Sequence, residues 1–199
     1  MRSNNFKLLT AIIVVLAAHS ARAEVKLHPL FTDNAVLQRG VAPLVYGTAD
    51  PGEAVSFSLS GPNGFATSSK QPIVTTQDGK WSFSLPANLN PGTGYTLTIG
   101  GGKKAITLKN LAVGDVWICS GQSNMSMPVA GCVDLEKVKA ASQNPKLRLF
   151  TVRTKATSEP LSEAKDLEHF TRWVEAGPET VPGFSAVGYH FGEYLQKDR

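Results

Sequence analysis

The chain has 199 residues, 42% of them hydrophobic and 18% charged. That balance suits one ordinary packed domain or two small ones and excludes a disordered chain. The net charge of +4 comes from 20 basic against 16 acidic side chains; Arg2, Lys7 and Arg22 lie in what reads as a cleaved leader, and without those three the balance is 17 to 16. No block of like charges and no basic stripe is left, so nucleic-acid binding is not expected.

Residues 1–23 have the form of a signal peptide. Arg2 and Lys7 begin it, Leu8 to Ala18 is apolar except for Thr10, and Ala21-Arg22-Ala23 supplies a small-x-small cleavage pattern. The run is short for a bilayer, and no later stretch approaches the ~20 apolar residues of a span. A retained N-terminal anchor is the weaker reading, and with no Cys after the cleavage site a lipid anchor is not expected. The mature chain is expected to start at Glu24 in a secreted or periplasmic protein. Of the two cysteines, Cys119 and Cys132, export would permit a disulfide. Two unpaired thiols are the preferred expectation, and neither a CxxC motif nor zinc-ligand spacing is present.

From Glu24 to Ala112 the pattern is all-β. Ala54 to Leu59, Trp81 to Leu85 and Tyr95 to Ile99 alternate apolar with polar residues, the mark of strands with one face buried. Asp50-Pro51-Gly52, Gly61-Pro62-Asn63-Gly64, Gln77-Asp78-Gly79 and Asn90-Pro91-Gly92 punctuate them as turns. Residues 24–112 therefore predict an antiparallel β-sandwich of roughly seven strands, jelly-roll or Ig-like. Gly100-Gly101-Gly102 sits between two strands without the Lys-Ser/Thr and helix of a phosphate loop, so a hairpin turn is expected there.

At Val113 the pattern changes. Val116 to Cys119 is continuously apolar, which predicts a strand covered on both faces. Asp134 to Ala141 has helical spacing with Leu135 and Val138 on one side, and Leu147 to Val152 reads as a strand. In the last element Phe184, Val187, Gly188, Phe191 and Leu195 recur at helical spacing, with Glu193 and Lys197 as an i,i+4 pair. Strands followed by strand, helix, strand, helix predict an α+β chain of two domains: the sandwich, then an α/β segment over 113–199.

The stretch Gly114-Asp-Val-Trp-Ile-Cys-Ser-Gly-Gln-Ser-Asn-Met-Ser-Met-Pro128 carries the chemistry. In open α/β sheets ligands bind at the carboxyl ends of strands, which is where Ser123 is expected. Gly121 lets a backbone approach, Gln122 and Asn124 bring amide donors, and the Ser123 N–H is placed to help hold an oxyanion. From physical chemistry alone, a serine after a strand is more often a turn residue.

Trp117 to Met125 closely resembles the nucleophile block of the sialate O-acetylesterase family, SGNH-type serine hydrolases with a flavodoxin-like α/β core. Leu147-Arg-Leu-Phe150, Trp173-Val-Glu175 and Phe184-Ser-Ala-Val-Gly-Tyr189 extend the resemblance, as does the preceding sandwich. The resemblance implies that Ser123 is the nucleophile, and that it attacks the acetyl carbonyl of an O-acetylated sugar. An acetyl-enzyme and hydrolysis would follow, with no metal or cofactor. It also implies a base from a late Asp/His block and oxyanion donors from Gly and Asn blocks, none of which occurs before Arg199. The expectation is thus an N-terminal portion holding the truncated start of the α/β domain, without efficient esterase activity by itself. Phe184, Val187, Phe191 and Leu195 are expected to stay partly exposed. Which sugar is cleaved and what oligomer forms are not legible.

Other residues have blander readings. Asp166-Leu-Glu-His169 has D-x-x-H spacing but lies in a charged connection, so a solvated loop is expected. His28 and His190 read as structural, and His19 leaves with the leader. Trp81 and Phe83 read as core rather than as a sugar platform, Met125 and Met127 as packing rather than metal ligands, and Asp115 as a residue that fixes a turn. A second functional reading is a secreted glycan- or partner-binding sandwich carrying a vestigial hydrolase segment.

Overall fold

The computed structural model describes residues 24–101, 104–152, 158 and 171–197. The leader 1–23, Gly102 of the glycine triplet and the Asp166/His169 pair lie outside these residues.

Nine strands come first. Lys26–Leu27 (β1), Leu44–Thr48 (β3) and Lys80–Ser84 (β7) form a three-stranded antiparallel sheet in the order β1-β3-β7. Val36–Gln38 (β2), Ala54–Ser60 (β4), Ala66–Ser68 (β5), Gly92–Gly100 (β8) and Ile106–Gly114 (β9) form a larger sheet in the order β2-β9-β8-β4-β5, and Ile73–Val74 (β6) also pairs with β4. Alternation set the faces. Trp81, Phe83 and Leu85 are buried on and just after β7, and Tyr95, Leu97 and Ile99 on β8. On β4 the same period buries Val55 and Leu59. These residues, Val45 of β3 and Leu37, Leu108, Leu111 and Val113 of the larger sheet share one core. Trp81 and Phe83 belong to it as expected, and the Phe83 ring bridges the two sheets by stacking on Phe57 of β4 at 4.3 Å.

Two local requirements stand out. Gly47 lies where β3 passes between β1 and the Trp81 ring; a Cβ would collide with the Lys26 carbonyl and with that ring. Buried Tyr95 satisfies its hydroxyl by donating to the Asn90 carbonyl at 2.8 Å, which closes the turn before β8. One expectation changes: the pairing is not antiparallel throughout. β2 runs parallel to β9, in register from Val36 with Ala112 to Gln38 with Gly114. β9 continues through Gly114 because Val113 still faces the core, 3% exposed.

Beyond Gly114 follow Ser123–Ser126 (α1), Leu135–Ala141 (α2), Asn144–Leu149 (β10), Val174–Ala176 (β11) and Ala186–Lys197 (α3). β10 and β11 pair antiparallel, so among the described residues no parallel α/β sheet forms. The expected strand 116–119 is absent: Val116 is 40% exposed, Trp117 55% and Ile118 92%. A strand covered on both faces needs paired neighbours and two covering layers, and neither β10 nor β11 pairs with this run.

α2 forms where helical spacing placed it, with Leu135 and Val138 against a second core of Val129, Leu149, Ala176, Val181, Ala186 and Tyr189. β10 begins earlier than expected and ends at Leu149, because Asn144 pairs with Ala176 across a bulge. On α3 the buried face differs in part from the one that helical spacing marked. Ala186, Gly188 and Tyr189 are buried, while Val187 and Phe191 stay 47% and 39% exposed. A Cβ on Gly192 would come within 2.9 Å of Leu147 Cδ1, so the helix backbone lies directly against β10. Phe184 and Leu195 are half-buried, which accords with the partial exposure expected of this face.

Candidate active site

Ser123 is reached through a segment with no strand of its own. At its start the Arg39 guanidinium grips Asp115 with both branches, Nε to Oδ1 at 2.7 Å and the terminal amine to Oδ2 at 2.9 Å. The Val116 N–H donates to Gln38 Oε1 at 2.8 Å. Trp117 then meets the Phe191 ring of α3 edge-on at 5.4 Å. Asp115 was read as fixing a turn; the structure gives it a partner from β2's end that sequence spacing did not reveal.

Gly121, Gln122, Ser123 and Asn124 come together because they are contiguous, and all four are exposed. Gln122 precedes the turn, and its carbonyl accepts from the Met125 N–H at 2.9 Å, which closes the single turn α1. Ser123 is the first residue of that turn, at a position whose N–H has no helical acceptor. Gly121 is needed for room, since a Cβ would lie 2.7 Å from Met125 Cγ. The expectation of Ser123 at a buried strand's end is corrected: it lies on a surface turn, because 116–121 lacks the neighbours that would make it strand.

After the turn the chain is fastened again. The Ala186 N–H donates to the Met127 carbonyl at 2.9 Å, and the Val129 N–H to the Phe184 carbonyl at 3.0 Å. Pro128 and Ser185 form an isolated antiparallel bridge between these bonds. Met125 is half-buried and Met127 exposed.

Among the described residues no hydrogen bond joins Ser123 to a histidine or a carboxylate. His28 packs at a tilt against Tyr46 at 4.9 Å and accepts the Leu30 N–H at its Nδ1, the structural role expected of it. His190 sits 3.3 Å from Glu193 on α3, and Lys197 lies 2.8 Å from the same carboxylate. Those two partners, Lys197 foremost, hold the Glu193 carboxyl below its usual range. Cys119 and Cys132 are both free thiols, and Cys119 is exposed rather than at the end of a buried strand. Among the described residues no group of three or more His, Cys, Asp and Glu side chains is placed to hold a metal. An open concavity of about 330 Å³ lies between Leu149, Arg172, Val174, Thr180 and Phe184, and Ser123 does not line it.

The other stretches singled out in the sequence have a structural use. Arg148, its side chain 1% exposed, faces Glu175 across the β10–β11 pair at 3.2 Å. It also donates to Asn34 Oδ1 at 3.1 Å and to Asn110 Oδ1 at 3.4 Å. Asn110 donates in turn to Glu175 Oε1 at 2.8 Å. Both asparagines are in the left-handed region, φ 66 and 55, which Asn tolerates better than most residues. Trp173 adds a donor bond from its indole N–H to the Leu30 carbonyl at 3.0 Å and packs on Phe150. Burial pulls the Arg148 pKa down and Glu175 opposes it. This latch joins the strands before Gly114 to the elements after it. Sequence reading missed it because its members lie far apart along the chain.

No model of a known protein family matches the chain. A sialate O-acetylesterase from Mus musculus is 26% identical over 197 residues, which covers 94% of this chain and 36% of that protein. The crystal structure of a carbohydrate acetylesterase from Xanthomonas citri superposes with a TM-score of 0.76 at 30% identity. It covers 88% of this chain and 38% of its own.

The chain resembles the sialate O-acetylesterase family, through these two relatives, over an N-terminal portion. It thus spans little more than a third of the length of either relative. Both relatives support the resemblance read from Trp117 to Met125 and the motifs after it. The Arg148 and Trp173 stretches serve the latch, while the serine block stays at the surface. Among the described residues no helix is long and apolar enough to cross a membrane.

Proposed function

We propose that this chain carries the nucleophile of an exported esterase that removes O-acetyl groups from sugars, and that Ser123 is that nucleophile. The observation that supports this most is its placement: an exposed serine opening a turn, in a segment fastened at both ends. The Ser123 Oγ attacks the acetyl carbonyl, the carbonyl oxygen becomes an oxyanion, and the sugar hydroxyl leaves. Water then hydrolyses the acetyl ester on the serine. The Ser123 N–H has no helical acceptor, so it is available to the oxyanion; the side-chain amides of Gln122 and Asn124 are the neighbouring donors, and Gly121 gives room. A serine hydroxyl needs a base. In this proposal the base is the late Asp/His block that the family resemblance implies, since neither His28 nor His190 is bonded to Ser123.

The alternative, a secreted glycan- or partner-binding sandwich with a vestigial hydrolase segment, is not favoured by the two acetylesterase relatives.

The test is acetate release from an activated acetyl ester by the protein produced from its own gene. Ser123→Ala should lower turnover on the order of 10³-fold or more while the melting temperature stays the same. Turnover within a few-fold of wild type in the folded variant would remove Ser123 from the mechanism. N-terminal sequencing of the same preparation should begin at Glu24, and an intact Met1 would remove export by a cleaved signal.

A further inference from the structure

We propose that Arg39 and Gln38, at the end of β2, are positioning residues for the Ser123 segment. The proposal rests on Ser123 being the nucleophile, and it deepens that reading by assigning the strands before Gly114 a part in the chemistry.

Among the described residues β2 is an edge strand paired with β9 alone, in parallel register up to Gln38 with Gly114. At that point the pairing is handed over to side chains. The Arg39 N–H still donates to the Gly114 carbonyl at 2.9 Å. One residue further the ladder is replaced by the Arg39 fork on Asp115, at 2.7 and 2.9 Å. Gln38 Oε1 then takes the Val116 N–H at 2.8 Å, as a strand carbonyl would. Four bonds thus carry the direction of β9 across Asp115 into a run that pairs with no strand among the described residues.

The energy of such a clamp is modest. The Arg39 and Asp115 side chains are 43% and 24% exposed, and exposed pairs contribute little to stability. Geometry is the point. A two-branched guanidinium fixes the plane of the carboxylate as well as its distance, and catalysis is far more sensitive than stability to a displacement of about 1 Å. The far end of the segment is fastened through Met127 and Ala186, so the clamp at Asp115 decides where the span between them, with Ser123, can lie.

The test uses Arg39→Ala, Arg39→Lys and the exchanged pair Arg39→Asp with Asp115→Arg, read by amide hydrogen exchange and by turnover. In Arg39→Ala, exchange over residues 116–123 should quicken about tenfold or more while β4 and β8 keep their protection. The same variant should lose about tenfold in kcat on an activated acetyl ester with KM unchanged. Lys keeps the charge without the fork and should recover only part of both effects, whereas the exchanged pair should recover most. Unchanged exchange over 116–123 would overturn the proposal. So would equal loosening of β4 and β8, which would make Arg39 a general stabiliser, or a loss confined to KM. If Ser123→Ala keeps wild-type turnover, the nucleophile assignment fails by itself, and the exchange data still decide whether the clamp exists.

Discussion

Two stretches of this chain read as strands, Tyr95 to Ile99 and Val116 to Cys119, and the first alone became one. Tyr95 to Ile99 alternates, forms the middle of β8 and buries Tyr95, Leu97 and Ile99 to 2% exposure or less. Val116 to Cys119 is apolar without interruption, forms no strand and leaves Ile118 92% exposed. Alternation commits a strand to one covered face, and β8 finds its neighbours β4 and β9 within the same stretch of chain. An unbroken apolar run needs covering on two faces and ladders at both edges. It states what the surroundings must supply, and β10 and β11 are occupied with each other.

The comparison can be sharpened by substitutions, the largest effect first. Leu97→Ala removes a side chain that is 0% exposed, and should lower unfolding free energy in urea by about 2–5 kcal/mol. Ile118→Ala changes a residue of similar size in the other stretch and should stay within about 0.5 kcal/mol. Equal effects would mean that Ile118 is packed in solution, and would restore the buried strand.

Arg148→Ala breaks the latch between the two parts. It leaves Glu175 facing Asn110 without its cation, and Glu175 is 35% exposed. The expected cost is about 2–3 kcal/mol, less than for a fully buried pair. A melting curve that divides into two transitions in this variant would show that the latch is what makes the parts unfold together; an unchanged midpoint would deny it any role.

The smallest effect is at the end of α3. Glu193 is held below its ordinary value of 4.5, first by its bond to Lys197 and also by His190. Its contribution to stability is therefore complete above that value and is lost as the pH falls through the lower folded pKa. Glu193→Gln should lower Tm on the order of 1–3 °C at neutral pH, and the difference should close in acid. A gap that widened on acidification would contradict the assignment.

Much of the first part could be read without coordinates, because period two, turn residues and aromatic positions are local signals. Trp81 and Phe83 belong to the core for the reason their spacing suggested, and α2 formed where Leu135 and Val138 placed it. The serine block was legible as a resemblance, and the relatives agree with the family it pointed to. What tertiary structure alone decided were the relations between distant residues. Arg39 meets Asp115 and Arg148 meets Asn34 across gaps of 76 and 114 residues, and no periodicity encodes such pairs. The close approach of α3 to Leu147 was decided by Gly192, a small residue that a search for large apolar ones passes over. Whether Val116 to Cys119 is strand or surface was likewise a tertiary decision, because an apolar run is buried only where other elements are placed to cover it.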